Sequence, residues 1–259
     1  MTRTIVIGDV HGCLEELQEL LRVVQYTSDD RLVFLGDLID RGPDPVGVVR
    51  YVRELGAESV LGNHCEMHLR WRAHEDVKLV TGKRNPMRPF SELRAVQNRS
   101  FSDQDIKWMK SLPIYIALGG GFVAVHAGMK PGTLIHAQER DDMLHIRFVD
   151  KETLKPIPLG ESFVPPPGSV MWTDKWDGPE SIIYGHFAQP DGPIQTSKKV
   201  NPPFPVFKDV WPETVHTIGL DTGCVFGGSL SAMVTEDDFK SWNFVSVRAK
   251  RVYYTIKLI

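Results

Sequence analysis

Three stretches, Gly8-Asp9-Val10-His11-Gly12, Gly36-Asp37-Leu38-Ile39-Asp40-Arg41-Gly42 and Gly62-Asn63-His64, decide how this chain folds. Each follows a short apolar run, at residues 4–7, 32–35 and 59–61. Runs of that length bounded by Gly and Asp read as strands. Between them, Leu14, Leu17, Leu20, Leu21 and Val24 recur at helical spacing, and residues 46–55 supply a second helix. The result is βαβαβ, which implies parallel pairing, right-handed crossovers and a ligand site at the C-terminal ends of the strands. Carboxylates, imidazoles and a carboxamide then gather at one place. Two neighbouring divalent cations need a shared anionic ligand and further oxygen and nitrogen donors, and together they activate water and neutralise a phosphoryl group. Asp37 is the candidate bridge. Asp9 and His11 can reach one ion together where the backbone turns sharply, with Gly8 and Gly12 keeping the loop free of Cβ crowding. Asn63 offers a neutral oxygen to the other. Asp and Gly also favour ordinary turns, so the argument rests on the ordered set and not on one block.

Further along, His126 and His186 close two more runs that read as buried strands, residues 122–125 and 181–184, and are ligand candidates on that ground. Residues 78–100 show little periodicity, and Gly82, Pro86 and Pro89 interrupt it, which predicts an excursion over the surface. Ser102 is a plausible N-cap for a helix through Leu112. Residues 114–118 and 122–125, joined by Gly119-Gly120-Gly121, predict a hairpin. Proline is dense at residues 155–168 and 189–212, including Pro165-Pro166-Pro167 and Pro202-Pro203, and these segments read as loops or caps beside the site. Strands are expected near residues 214–220, 230–234, 243–247 and 252–258. Because the candidate ligands run from Asp9 to His186, a division would cut the site, so one catalytic domain over residues 1–259 is expected.

Composition narrows the class. An apolar fraction of 42% suffices for a sizeable core, and no apolar run approaches the roughly 18 residues of a membrane span. The chain enters a strand almost at once, without a signal-peptide core, so a cytoplasmic location is expected. Cys13, Cys65 and Cys224 are widely spaced without a Cys-x-x-Cys pair, which indicates free thiols and neither a disulfide framework nor a zinc ribbon. Formal net charge is −3, yet between Glu66 and Arg99 eight basic residues (Arg70, Arg72, Lys78, Lys83, Arg84, Arg88, Arg94, Arg99) stand against four acids (Glu66, Glu75, Asp76, Glu92). This excess reads either as a solvated face or as a rim that draws polyanions such as nucleoside polyphosphates or inorganic polyphosphate. No recognised nucleic-acid-binding fold accompanies it, which argues against nucleic acid.

The three blocks, with Val125-His126-Ala127-Gly128, Tyr184-Gly185-His186 and Leu220-Asp221-Thr222-Gly223-Cys224, resemble the signature of the calcineurin-like metallophosphoesterases of the phosphoprotein phosphatase superfamily. Their spread, from about residue 4 to residue 235, resembles the bacterial branch containing symmetrical diadenosine tetraphosphate hydrolases. The resemblance implies an α/β fold, a β-sandwich flanked by helices in α/β/β/α layers. It also implies a cofactor of two divalent metal ions, Mn²⁺ foremost, with Fe, Zn, Co or Ni as alternatives, and a bridging water or hydroxide that attacks phosphorus in line. Asp9, His11 and Asp37 would hold one ion, and Asp37, Asn63, His126 and His186 the other. His64 would protonate the leaving oxygen, Asp40 would orient and charge it, and Arg41, with Asn63, would bind substrate. Relatives usually carry a carboxylate directly after the Asn-His pair, whereas this chain has Cys65 followed by Glu66. The replacement either loosens the loop that holds His64 or is neutral.

Substrate signals pull apart. The intact Asp-Arg-Gly resembles protein phosphatases, and Leu-Asp-Thr-Gly-Cys-Val-Phe-Gly-Gly resembles the nucleotide hydrolases. The expected substrate is therefore a phosphorylated small molecule, a nucleotide or a phosphoprotein, with polyphosphate or phosphodiester cleavage as alternatives. A non-catalytic scaffold that binds phosphorylated ligands is the contrasting class, and such a scaffold has no need of His64.

Overall fold

The computed structural model describes residues 2–158, 165–199 and 214–255. The first third follows the expected alternation: β1 (Thr4–Ile7), α1 (Leu14–Val23), β2 (Arg31–Phe34), α2 (Pro45–Glu54) and β3 (Glu58–Ser59). Three helices come next, α3 (Asn63–Thr81), α4 (Glu92–Ser100) and α5 (Asp103–Ser111), before the hairpin β4 (Tyr115–Gly119) and β5 (Phe122–Val125). Then come α6 (Arg140–His145), β6 (Phe148–Asp150), β7 (Pro156–Ile157), β8 (Ser169–Met171), α7 (Trp172–Lys175), β9 (Ser181–Tyr184), β10 (Ile194–Lys199), β11 (Thr214–Gly219), β12 (Ser229–Thr235) and β13 (Asn243–Arg248).

Two five-stranded sheets carry the architecture, in the orders β13-β12-β1-β2-β3 and β10-β11-β9-β5-β4. Each has a parallel heart. In the first, β1, β2 and β3 run parallel, and β12 and β13 add antiparallel strands at one side. In the second, β5, β9 and β11 run parallel, flanked by antiparallel β4 and β10.

The period of two along each strand sorts side chains into layers. Ile5 and Ile7 pack with Leu17, Leu20, Val48 and Val52 of α1 and α2, whereas Val6 between them turns to the other sheet. There Val6, Val33, Leu35 and Val60 meet Ile116, Leu118, Phe122, Ala124, Ile183 and Ile218. On the far side, Val123, Val125, Ile182 and Tyr184 pack against Met143, Trp172 and Trp176. The order is helices, sheet, sheet, helices, which is the expected layering. Every apolar side chain buried on both faces contributes about 1.5–3 kcal/mol.

Local chemistry explains the helix starts. Asp44 caps α2 through a bond from Gly47 N at 2.7 Å, with Pro45 in the first turn. Ser102 caps α5 as expected, in a reciprocal box with Asp105. Asp105, fully buried, also receives Arg53 Nη1 at 2.6 Å, which ties α5 to α2. On α1 the buried Glu16 accepts Lys250 N at 3.0 Å and Tyr253 Oη at 2.6 Å, anchoring the segment after β13.

Four expectations fail. Residues 78–100 are not an unstructured excursion: α3 extends to Thr81 and α4 occupies Glu92–Ser100, capped by Ser91. Only Asn98 on α4 is buried, so the helix has no apolar stripe to betray it. Within the proline-dense segments, β7 and β10 are strands, and residues 159–164 and 200–213, including Pro202-Pro203, lie outside the described residues. β10 is exposed at every position and, among the described residues, pairs on one edge only, so it lacks the alternation that marks a strand. Of the strand expected over residues 252–258, Val252 to Thr255 is irregular and the remainder lies outside the described residues.

Candidate metal centre

Six parallel strands end at one place, and each delivers polar groups there. β1 leads into Asp9 and His11, β2 into Asp37, β3 into Asn63, β5 into His126, β9 into His186, and β11 into Asp221. Asp9, His11, Asp37, His126, His186 and Asp221 are all at most 9% exposed. The close approach of the loops needs glycine at two points: a Cβ on Gly62 would overlap Asp37, and one on Gly185 would overlap Asp9. His11, Asp37, Asp40, Arg41 and His186 all adopt positive φ, between 42° and 73°. That region disfavours L side chains, and such strain collects at functional sites.

Asp37 is central. Its Oδ2 lies 3.4 Å from His126 Nε2, 3.7 Å from His11 Nε2 and 3.9 Å from His64 Nε2, and Oδ1 accepts His64 N at 2.9 Å. Burial raises its pKa, but the surrounding imidazoles, His126 first, outweigh burial and hold the carboxyl well below its ordinary value. Asp9 differs: burial, then the charges of Asp221 and Asp37, push it well above the carboxylate range. Asp221 is pushed up to about 6, chiefly by burial.

The hydrogen bonds fix the ring tautomers. His126 Nδ1 lies 2.8 Å from Leu35 O and His11 Nδ1 lies 2.9 Å from Ile39 O, so both donate from Nδ1. Each ring then turns its Nε2 inward. For His126 that nitrogen faces Asn63 Oδ1 at 2.8 Å and Asp37 Oδ2. His186 Nδ1 lies 3.0 Å from the same Asn63 oxygen, and its buried Nε2 has no partner among the described residues. Burial, reinforced by Arg41, pushes His11 down to about 3, and burial with Arg147 holds His186 well below its ordinary value, so both rings are neutral near pH 7. Lone pairs converging on carboxylate and carboxamide oxygens need positive charge between them. These His and Asp groups can hold metal ions, in the manner of ligating imidazoles whose other nitrogen is tied to a carbonyl.

Among the described residues, three groups have possible ligand atoms within 4.8 Å of one another; Cys13, Glu16 and Cys224 form one, away from this site, and the other two share Asp37, one with His11 and His64 and one with His126 and His186. Asn63 joins the second. Asp9 falls in neither group and instead accepts His186 N at 3.1 Å on each oxygen. His64, expected as a non-ligand, is itself a member of the group with His11 and Asp37. Its Nδ1 donates to Asp40 Oδ2 at 2.6 Å. Arg41 Nη1 lies 3.1 Å from His11 Nε2, with its guanidinium 5.3 Å from the Phe226 ring centre and 5.6 Å from that of Tyr254.

Several neighbours escaped the sequence reading. Asp221 obeys the same rule as the others, an acid just beyond an apolar strand and before a glycine, and that signal was available. Arg147 gives no such signal; burial and then the charge of Arg41 lower its pKa. Arg94 and His68 both approach Asp40. Of the eight basic residues between Glu66 and Arg99, Arg70, Arg72, Lys78 and Arg94 lie beside Glu66, Asp76, Glu75 and Asp40, which reduces the excess in space. Cys65 is fully buried in the core with its thiol pushed up to about 12 by burial, and Glu66 supplies the acid in the first turn of α3.

Paired sheets with imidazoles and carboxylates at their parallel strand ends define a metallohydrolase. The model of the calcineurin-like phosphoesterase family matches residues 2–200, and the chain belongs to that family. It is 31% identical over 244 residues to the asymmetrical bis(5'-nucleosyl)-tetraphosphatase PrpE of Bacillus subtilis (strain 168), covering 87% of this chain and 88% of the relative. To the symmetrical bis(5'-nucleosyl)-tetraphosphatase of Vibrio campbellii it is 30% identical, covering 90% and 96%. A crystal structure of a candidate diadenosine tetraphosphatase superposes with a TM-score of 0.71 at 30% identity, covering 96% of this chain and 94% of that one. No helix among the described residues is long and apolar enough to cross a membrane.

Proposed function

We propose that the chain, acting as one catalytic domain, is a dinuclear-metal hydrolase of nucleoside polyphosphates. The convergence of six parallel strand ends on Asp37 carries this reading, and the near full-length match to two tetraphosphatases supports the substrate class. Asp9, His11 and Asp37 would hold one ion and Asp37, Asn63, His126 and His186 the other, with Mn²⁺ the first metal to test. Bound there, the ions supply an activated water and neutralise phosphoryl charge. Arg41 is suited to clamp phosphate oxygens with its planar fork, and Arg147 is a second candidate for that role. His64 donates Nδ1–H to Asp40, which leaves Nε2 to carry the proton to the leaving oxygen.

A phosphoprotein phosphatase is the second reading, favoured by the intact Asp40-Arg41-Gly42. Incubation of the Mn²⁺-loaded protein with an aryl phosphate, diadenosine tetraphosphate, a phosphopeptide and polyphosphate separates the two. Diadenosine tetraphosphate is expected to turn over fastest, and its products, two ADP or ATP with AMP, reveal which bond is cut. Rapid phosphopeptide hydrolysis with diadenosine tetraphosphate untouched would overturn the nucleotide reading, and no turnover of any substrate would leave the phospholigand scaffold.

A further inference from the structure

Asp40 is gripped on both oxygens by a residue 54 positions away in sequence. Arg94 of α4 donates from Nε to Oδ1 at 2.9 Å and from Nη2 to Oδ2 at 2.7 Å, while Oδ2 also accepts His64 Nδ1. A carboxylate held by one bond rotates about Cβ–Cγ. One held by a two-point fork does not, because both the plane and the position of the oxygens are fixed. The orientation of the His64 ring, including Nε2 at 3.9 Å from Asp37 Oδ2, is therefore set from position 94.

The arm that carries Arg94 is itself braced. Phe90 stacks on Trp71 with ring centres 4.6 Å apart and planes within 6°, and Arg94 lies 5.3 Å over the Phe90 ring. Asn85 Nδ2 donates to Glu75 Oε1 at 2.9 Å. Trp71 and Glu75 belong to α3, whose first turn bears His64. One helix thus carries the imidazole at its start and, further along, the anchor of the segment that steadies it. Asp40, at φ 73° and 3% exposed, has little else to fix its side chain besides His68 Nε2 at 3.8 Å.

We propose that Arg94 is a positioning residue for leaving-group protonation, acting on His64 through Asp40. The proposal rests on the reading of His64 as the proton donor. Arg94 touches neither the metal groups nor the substrate mouth, and its side chain is 29% exposed, so its replacement leaves no buried cavity.

The test compares Arg94→Ala, Arg94→Lys, His64→Ala and the double variant on an alkyl phosphate and an activated aryl phosphate. Arg94→Ala is expected to lower kcat on the alkyl ester by about 10–100-fold, a part of the roughly 10²–10⁴-fold that a general acid contributes, and on the aryl ester by no more than about threefold. Arg94→Lys keeps the charge but not the fork, and should recover only part of the loss. In the His64→Ala background, Arg94→Ala should add nothing. A readout independent of turnover is the downfield proton resonance of His64 Nδ1–H in the metal-free protein, assigned by its absence in His64→Ala. In Arg94→Ala it should broaden through faster exchange. Equal losses on both esters, full additivity with His64→Ala, or an unchanged resonance would each overturn the proposal. If His64→Ala itself shows no dependence on the leaving group, the proton-donor reading falls first and the proposal falls with it.

Discussion

Asp37→Asn is expected to lose metal binding at both positions together and to retain almost no turnover, a drop far larger than that for any acid outside the site. The substitution keeps the size of the side chain and an oxygen that can accept from His64 N, so the fold should survive. It removes the one negative charge that lies within 4 Å of His11, His64 and His126 at once. Glu58→Gln, which alters only a partly exposed pair with Arg31, is the control. Metal equivalents by elemental analysis and turnover of an aryl phosphate give the answer. Two equivalents retained at near-normal rates would sink the bridge.

His64→Ala should separate two roles that the geometry brings close together. As a proton donor, His64 can be removed without losing either ion, and turnover of esters with poor leaving groups should fall by about 10²–10⁴-fold. Activated aryl esters need little protonation and should suffer less. Its nearness to His11 and Asp37 allows the contrary outcome to be recognised. If one metal equivalent disappears with His64, the residue is a ligand, and Asp9, tied to the His186 backbone, takes the lesser part.

Much of this was legible because strands announce themselves twice, by apolar runs and by what stands after them. The parallel order β1-β2-β3, the hairpin at Gly119 to Gly121, and the positions of Asp9, His11, Asp37, Asn63, His126 and His186 all follow from that rule. The rule reaches Asp221 too, which stands just beyond the apolar end of β11 and before Gly223. Arg94 and Arg147 lay beyond it. Their places depend on where α4 and the α6–β6 segment dock, and a single half-buried Arg on or beside a short helix adds no periodicity to read. α4 was hidden for the same reason, and β10 because an edge strand exposed on both faces has no alternation to read.

The left-handed backbone at five site residues bears on how this chain would change under selection. Each such conformation costs about 1–3 kcal/mol in a residue that carries a side chain, a large share of the roughly 5–15 kcal/mol that holds a domain folded. Asn tolerates that region better than Arg. Arg41→Asn should therefore raise Tm by about 2–4 °C, the shift for roughly 1 kcal/mol in a chain of this size, while turnover collapses; a lower Tm would show that the packing of Arg41 on Phe226 and Tyr254 outweighs the strain. Lineages released from the need to hydrolyse phosphates but still screened for folding would drift first at such positions. A decayed descendant would keep its sheets and lose the arginine of its second loop.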